Sequence, residues 1–268
     1  MIVDNIYNQF FIKAPQKEEN GIYYFGNDND GDYFEKSDFD SWQNGIFYQN
    51  WRKGKFLENN VSRHLLDEII SNHKYVIDLA CGPGMGFIPS IKQIDPLFPC
   101  VASDANPFVL TEWQHYLANN EKYNKIDFAQ FSVFNIPIRS NTVHAYSSFI
   151  GISSTRNGEN GYDAALSEIH RTLVKNGLFY TIENEWTDIP TILSLFDRIN
   201  QQPWSVFWEK QVSWHNRFNE NGFETVYEEP FEYRSLKADD NELGAAAAKL
   251  GVDIGMKFTA YIVRKRDG

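Results

Sequence analysis

Apolar residues are spaced differently in three parts of the chain, with changes near residue 59 and after residue 185. A helix is predicted to begin at Asn59 or Asn60, because either residue can cap it and apolar residues recur at spacings of three and four over 61–70. Short, nearly continuous apolar runs follow at 75–80, 98–103, 126–131, 143–149 and 178–182. Runs of this kind are typical of parallel strands that are buried on both faces.

Helix-like segments separate these runs and predict the fold class. They lie at 86–94, 106–120 and 160–175, and the last one is expected to stop at Asn176 and Gly177. Strands that alternate with helices predict βαβ units and an α/β fold with a doubly wound, mostly parallel sheet.

The alternation breaks after residue 185. Two helices are predicted over 189–221, interrupted at Pro203. Strand candidates at 223–227 and 257–263 then flank an alanine-rich helix around 240–250.

Aromatic residues are unusually frequent, with 7 Trp, 14 Tyr and 21 Phe making up 16% of the chain. They are concentrated outside the middle of the sequence. Over 21–56 they lie among Gly, Asn and Asp, which predicts irregular structure with a short helix, a cap and not part of a sheet. We therefore divide the chain into an N-terminal cap segment (1–58), an α/β core (59–185), a helical lid or cap (186–222) and the last strands of the sheet (223–268).

Charge and cysteine content exclude several classes of protein. With 36 acidic against 25 basic residues the net charge is −11, which argues against binding nucleic-acid phosphates. Asp4 and Asn5 stand where a secretory signal would be basic, and no apolar run approaches the ~18 residues of a membrane span. We expect a cytoplasmic protein that does not associate with a membrane. Cys81 and Cys100 lack metal-ligand spacing, so neither a structural metal nor a disulfide is predicted.

A glycine-rich stretch at 76–86 ends the first apolar run and opens the next helix, where doubly wound sheets bind nucleotides. Gly82, Gly84 and Gly86 do not fit the dinucleotide pattern G-x-G-x-x-G, and no Lys-Ser/Thr pair follows as in a phosphate-binding Walker loop. Asp78 in this stretch would repel phosphates and attract a cation. The pattern therefore favours a ligand that carries positive charge.

A second acidic residue, Asp104, ends the next apolar run, 22 residues after Gly82. This is close to the ~20 residues at which an acidic side chain reaches ribose hydroxyls in nucleotide-binding βαβ units. Together the two acids suggest an adenosyl ligand with a cationic, amine-bearing tail. Taken singly, the glycine stretch fits a tight turn and Asp104 fits a helix N-cap before Asn106.

These motifs, in this order, resemble class I S-adenosylmethionine-dependent methyltransferases, and in particular the ubiquinone/menaquinone C-methyltransferase group. The resemblance covers about 74–185 and includes DLACGPG at 78–84, Asp104, FNIPI at 134–138, SSFI at 147–150 and IHRTLVKNG at 169–177. It implies a Rossmann-like methyltransferase fold with a seven-stranded sheet and S-adenosyl-L-methionine as cofactor. The cofactor-binding residues it implies are Asp78, Ala80, Cys81, Gly82, Gly84, Asp104, Ala105, Asn106, Val133, Phe134 and Ser148.

The chain departs from the family pattern at two positions. Ala80 replaces the family's first glycine, which we expect to be harmless because both residues are small. Ser132 stands where many members have an acid that accepts from the adenine amino group. Adenine recognition is therefore expected to be weaker here or to pass to the backbone of Val133.

Methyl transfer from a sulfonium is an in-line displacement, so the protein mainly aligns the acceptor and excludes water. No catalytic residue is assigned. Glu183 and Glu185 are the better-placed candidates for a general base, although both equally fit surface carboxylates. His144 and His170 are expected to be structural, because they lie at the wrong end of a strand or within a helix.

The aromatic segments are expected to form the acceptor site. Tyr48, Trp51, Glu183 and Trp208 are predicted to contact the substrate. The aromatic residues of the two segments either line a lid or pack the cap itself; they are Tyr48, Trp51, Trp186, Trp204, Phe207, Trp208 and Trp214. No Asn-Pro-Pro-Tyr motif for a base amine follows 143–149, which with the net charge favours a small-molecule substrate. The alternatives are a noncatalytic S-adenosylmethionine-binding or interaction protein on the same fold and, more remotely, a nicotinamide oxidoreductase. The acceptor and the oligomeric state stay open.

Overall fold

The computed structural model describes residues 10–26, 53–117, 125–155, 161–203 and 213–266, with a few positions between 37 and 49. In these segments nine strands form one mixed sheet. The strands are β1 (Lys17–Glu19), β2 (Ile22–Tyr24), β3 (Val76–Asp78), β4 (Cys100–Asp104), β5 (Ile126–Gln130), β6 (Val143–Phe149), β7 (Leu173–Trp186), β8 (Phe223–Ser235) and β9 (Gly255–Lys265). Their order across the sheet is β1-β2-β5-β4-β3-β6-β7-β9-β8.

The helices of the described segments cover both faces of this sheet. They are α1 (Lys55–Glu58), α2 (Asn60–Asn72), α3 (Ile88–Ile94), α4 (Pro107–Leu117), α5 (Gly151–Ser154), α6 (Gly161–Thr172), α7 (Ile189–Arg198), α8 (Trp214–Glu220) and α9 (Glu242–Leu250), with a 3₁₀ turn at Gly82–Gly84. Asn59 caps α2, because its Oδ1 accepts from the N–H groups of Val61 and Ser62. Within the described part of the chain, no helix has the length and apolar character needed to cross a bilayer.

The sheet has more strands than the sequence predicted, and the prediction of seven was wrong. The two additional strands, β1 and β2, lie in the N-terminal segment that we expected to be a cap without sheet structure. β2 pairs in parallel with β5, placing Ile22 opposite Phe128, and β1 pairs antiparallel with β2. Each strand has three residues, which is too short for a hydrophobic period, and the pairing of β2 joins segments about a hundred residues apart.

The end of α6 also differs from the prediction. The helix stops at Thr172 and not near residue 175, and β7 begins at once with Leu173. Asn176 has a φ of 61°, so the left-handed residue that the Asn-Gly pair signals is present. It lies inside β7, where the pairing with β6 jumps from Leu173 to Leu178. The turn signal therefore marks an irregularity in a strand and not a helix end.

Burial on both faces explains why the central strands read as continuous apolar runs. One face packs against α2, α3 and α4, where α2 buries Leu65, Leu66 and Ile69 completely. The other face packs against α6 and α8. Each fully buried leucine or isoleucine stabilises the fold by roughly 1.5–3 kcal/mol. A smaller third cluster joins α7 to α9.

The strand order brings the ends of four strands together at one edge of the sheet. The chain runs outward from β3 to β4 and β5, and then returns to the other side of β3 with β6. The direction of winding reverses between β3 and β6, and ligands bind at such a switch point beyond the carboxyl ends of the strands. The glycine-rich stretch follows β3 directly and so lies at this position.

Candidate functional site

The glycine-rich stretch folds into a tight loop over the end of β3. Cys81 donates its N–H to Ser103, and Trp113 of α4 donates its indole N–H to the Gly82 carbonyl at 3.2 Å. At Gly82, φ is +57° and no heavy atom lies within 4 Å of where a Cβ would be. The loop therefore presents open backbone at Gly82, as a ligand that approaches the main chain closely requires.

Ala80 takes a conformation that is unusual for a residue with a side chain. Its φ is +48°, in the left-handed region, where a Cβ costs roughly 1–2 kcal/mol. The replacement of the family's glycine by alanine therefore does carry a conformational cost, contrary to our expectation that it would be harmless.

Asp78 lies completely buried beneath the loop. Its Oδ2 accepts from the Ser147 hydroxyl at 2.6 Å and from the Phe87 N–H at 3.3 Å, whereas its Oδ1 has no hydrogen-bond partner. That oxygen faces Gly86, where a Cβ would come within 2.0 Å of it. Burial raises the pKa of Asp78 to about 7, against the opposing effect of the two hydrogen bonds. The side chain thus supports the loop from below.

Asp104 lies at the end of β4 and fixes the turn that follows. Its Oδ2 accepts from the Gly82 N–H at 2.8 Å and its Oδ1 from the Asn106 N–H at 2.9 Å. The Asn106 side chain in turn accepts from Phe108 at the start of α4. Burial raises the pKa of Asp104, and the backbone N–H groups partly offset this. Because each carboxylate oxygen has two lone pairs, both oxygens can accept a further hydrogen bond from a ligand.

Cys81 lies between these two acids and is 5% exposed. Burial and the neighbouring carboxylates raise the pKa of its thiol well above the usual value. Cys100, on β4, is buried as well, and burial raises the pKa of its thiol to about 12. Both thiols therefore behave as small apolar groups in the folded protein.

The loop after β5 carries the residues that the sequence predicted for adenine. Val133 is buried and Phe134 is half-buried. The Ser132 hydroxyl accepts from the Phe134 N–H at 3.2 Å, so it shapes its own turn. Ser148, predicted at the cofactor, is fully buried, and its hydroxyl donates to the Leu79 carbonyl at 3.1 Å. This hydroxyl joins the ends of β6 and β3.

Glu183 and Glu185 are both buried, so they are not surface carboxylates. Glu183 accepts from the Thr181 hydroxyl at 2.6 Å and from the Ser153 N–H in α5 at 2.9 Å. Glu185 is paired with Lys257 and accepts from the Trp214 N–H. These contacts hold α5 and α8 against β7.

The two histidines lie away from the loop. His144 is exposed and is the second residue of β6. The His170 ring, on α6, packs edge-on against Phe223 at 5.3 Å. The structure places neither one at the carboxyl ends of the strands.

The aromatic residues predicted to contact the acceptor fall mainly outside the described residues. This holds for Tyr48, Trp51 and Trp208, and also for Trp204 and Phe207. Trp214 is described and packs in the core against Tyr162 and Phe218, while its indole N–H donates to the Asn184 carbonyl. For Trp214 the packing alternative is therefore correct.

Four phenylalanines lie together next to the loop, and the sequence did not predict this cluster. The Phe56 ring, on α1, lies 5.3 Å from Phe87, 4.7 Å from Phe149 and 6.0 Å from Phe231. Phe87 follows the loop, Phe149 ends β6, and Phe231 lies in an irregularity of β8 between Pro230 and Glu232. They come from four distant segments, so no local pattern predicts this phenylalanine cluster.

Gln130 was also missed. It is the last residue of β5 and is fully buried. Its Nε2 donates to the Ala105 carbonyl and its Oε1 accepts from the Gly26 N–H, each at 2.8 Å. A polar residue that ends an apolar run is the signal that could have drawn attention to it.

Comparisons with known proteins agree with this geometry. The model of the ubiE/COQ5 methyltransferase family matches residues 44–202. No curated protein matches the chain.

Several solved structures share the fold. The MccD protein is 19% identical with a TM-score of 0.53, over 78% of this chain and 99% of that one. A candidate methyltransferase from Bacillus halodurans C-125 is 17% identical with a TM-score of 0.54, over 78% and 99%. A geranyl diphosphate methyltransferase, solved with GPP and sinefungin, is 10% identical with a TM-score of 0.51, over 76% and 77%. At these identities the similarity shows the methyltransferase-like α/β fold.

Proposed function

Because the chain belongs to the ubiE/COQ5 methyltransferase family and is an S-adenosylmethionine-dependent methyltransferase, we propose that its acceptor is a small molecule with an apolar part. The observation that carries this proposal is the half-buried pair Phe149 and Phe231 of the phenylalanine cluster. The Phe149 ring lies 6.1 Å from the ring of Phe87, the residue that directly follows the glycine-rich stretch. S-adenosylmethionine supplies an electrophilic methyl group on a sulfonium. The chain's own residues must position it, position the acceptor and exclude water.

We propose that Asp104 accepts from the ribose hydroxyls and that the backbone at Gly82 and Gly84 faces the amino-acid part of the cofactor. Asp104 suits this role because two backbone N–H groups hold its carboxylate in place while lone pairs stay available. Ala105, Asn106, Val133 and Phe134 are proposed to enclose the adenosine. Ala80, Cys81, Asp78 and Ser148 are proposed to shape the loop, because Asp78 Oδ2 and the Ser148 hydroxyl make hydrogen bonds beneath it.

The phenylalanine cluster supports an apolar acceptor. Phe56 and Phe87 are fully buried and form its base, whereas Phe149 and Phe231 keep part of their rings accessible. Ring faces of this kind bind apolar or aromatic groups and also cations. The net charge of −11 disfavours a nucleic-acid acceptor. That Tyr48, Trp51, Glu183 and Trp208 contact the acceptor stays a prediction.

Calorimetry and a turnover screen test the proposal. The wild-type protein is titrated with S-adenosylmethionine and S-adenosylhomocysteine, and then incubated with small nucleophiles of graded apolar surface while S-adenosylhomocysteine release is measured. We expect binding of both ligands and turnover that favours apolar acceptors. Tight binding without turnover across the panel would favour the noncatalytic alternative, and turnover of polar acceptors alone would contradict an apolar site.

A matched pair of variants tests the phenylalanine cluster. Phe231→Ala is expected to raise the acceptor KM about tenfold, because a ring face buried against an apolar group is worth about 1.4 kcal/mol or more. Phe231→Leu keeps most of the apolar surface and should raise KM less. The dissociation constant of S-adenosylhomocysteine should not change in either variant, and a change there would place Phe231 at the cofactor.

A further inference from the structure

The side-chain amide of Gln130 joins two parts of the chain that are distant in sequence. Its Nε2 donates to the Ala105 carbonyl, and its Oε1 accepts from the Gly26 N–H, both at 2.8 Å. Only one orientation of the amide satisfies a carbonyl on one side and an N–H on the other. The side chain is fully buried, so water does not replace either partner cheaply.

On one side, this bond holds the turn after β4. Ala105 lies between Asp104, whose carboxylate binds Gly82, and Asn106, which caps the start of α4. Asp104 and Gln130 are also register partners in the sheet. A displacement of Ala105 would therefore move the Asp104 carboxylate relative to the loop.

On the other side, the bond holds the exit from the N-terminal hairpin formed by β1 and β2. Phe25 donates its N–H to the Gln130 carbonyl at 2.9 Å. The Phe25 carbonyl accepts from Lys13 Nζ at 3.2 Å and from Gln16 Nε2 at 3.3 Å. The hairpin is thus fixed to the end of β5, although it lies outside residues 44–202 that match the family.

The geometry points to a cofactor site that extends to the N-terminal hairpin, with Gln130 as a positioning residue that couples Gly26 to the turn at Asp104. Gln130 acts through Ala105 and does not contact the ligand. The inference rests on the proposed function, because it concerns the affinity for an adenosyl ligand.

The isosteric variant Gln130→Glu tests the contact with Ala105. At pH 8 an ionised carboxylate in the variant still accepts from the Gly26 N–H, but its other oxygen lies against the Ala105 carbonyl and repels it. The dissociation constant of S-adenosylhomocysteine should therefore rise about tenfold. Burial raises the pKa of the introduced acid. At pH 5.5 the protonated acid can donate to Ala105, and the ratio of variant to wild-type dissociation constants should fall toward one.

The pH comparison uses this ratio because other groups titrate in both proteins. Asp104 on β4 and Asp78 on β3 lie nearby, and Lys13 faces the hairpin exit. If Gln130 had only a structural role, Gln130→Glu would lower the melting temperature, and the ratio of variant to wild-type dissociation constants would not fall at pH 5.5. If Gln130→Glu does not fold, Gln130→Met, which keeps the length but cannot bond to either partner, should show the same rise at pH 8.

A second pair of variants tests the link to the hairpin. Gly26→Pro removes the N–H that donates to Gln130 Oε1. We expect about a threefold rise in the dissociation constant of S-adenosylhomocysteine. Gly26→Ala keeps the N–H and should bind like wild type. Wild-type affinity in both Gln130→Glu and Gly26→Pro would overturn the inference while leaving the proposed function intact. Failure of the wild-type protein to bind would instead overturn the proposed function.

Discussion

Asp78 and Asp104 end two adjacent parallel strands, and both are buried beside the same loop, but their surroundings differ. Asp104 accepts from two backbone N–H groups at 2.8 and 2.9 Å. Asp78 accepts from a hydroxyl and from one longer N–H contact, and its second oxygen has no hydrogen-bond partner. Burial is the main cause that raises both pKa values, to about 7 for Asp78. Equivalent positions in the fold thus carry acids with different tasks.

The difference suits Asp104 to the proposed contact with the ligand and Asp78 to a role within the loop. The Asp104 carboxylate is oriented by backbone on both oxygens and keeps lone pairs available at the edge of the sheet. Asp78 carries an unpaired oxygen against the Gly86 backbone, which costs more free energy when the carboxyl group is ionised than when it is protonated. The loop above Asp78 can form only because Gly86 lacks a Cβ.

Gly86→Ala should have the largest effect on stability. A Cβ would lie 2.0 Å from Asp78 Oδ1, and a φ of +53° adds strain, so we expect a loss of about 3 kcal/mol or more in the free energy of unfolding. Gly82→Ala is the matched control, because φ is similar but no atom lies within 4 Å, and it should cost only about 1 kcal/mol. Urea unfolding measures both. Equal losses would mean that Asp78 does not restrict the loop.

Asp104→Ala should weaken S-adenosylhomocysteine binding about a hundredfold, or about 2.7 kcal/mol, because it frees the turn and removes the ribose acceptor. Asp104→Asn keeps one carbonyl oxygen and should lose about tenfold. Isothermal titration calorimetry gives both values. Retained affinity in the alanine variant would remove Asp104 from the proposed cofactor site.

Asp78 should make the ligand-free protein less stable as pH rises. The pKa of about 7 in the folded state lies above the ordinary value of 3.8, so the folded protein binds more protons between these values. The stabilisation is complete below about pH 4 and is lost through about pH 7. We expect a decrease of about 1–3 kcal/mol from pH 5 to pH 8 in wild type. Asp78→Asn should show a smaller decrease, and an unchanged one would contradict the assignment.

Ala80→Gly should have the smallest effect, a gain in stability of about 0.5–1 kcal/mol. Glycine removes the cost of a φ of +48° but increases the conformational entropy of the unfolded chain. Thermal unfolding measures the change. A loss of stability would show that the Ala80 methyl group packs usefully under the loop.

The sequence predicted the centre of the fold well because its signals are local. Buried parallel strands leave continuous apolar runs, and the Asp78 and Asp104 motifs lie within such runs or at their ends. The hairpin formed by β1 and β2 could not be predicted in this way, since β1 is exposed at each position and, among the described strands, pairs with β2 alone. The end of α6 was misplaced because Asn176 signals a left-handed residue without saying whether a helix or a strand contains it.

In the candidate site, too, local features could be predicted and contacts between distant segments could not. The positions of the loop and of the two acids follow from motif spacing. Asp78 Oδ2, the Ser148 hydroxyl and the Glu183 carboxylate make internal hydrogen bonds. These depend on partners that are distant in sequence, such as Ser147, Leu79 and Ser153. The contacts of Gln130 span 104 and 25 residues of sequence. No local pattern specifies contacts of this kind.

The buried thiol of Cys81 makes the opening of the loop measurable by chemical labelling. Thiol reagents attack the thiolate, and both the raised pKa and the 5% exposure suppress that reaction while the loop is closed. The rate of alkylation at Cys81 therefore reports how often the loop opens, and an occupied site should slow it. Cys100, 1% exposed on β4, provides an internal reference, because its labelling requires the sheet itself to come apart.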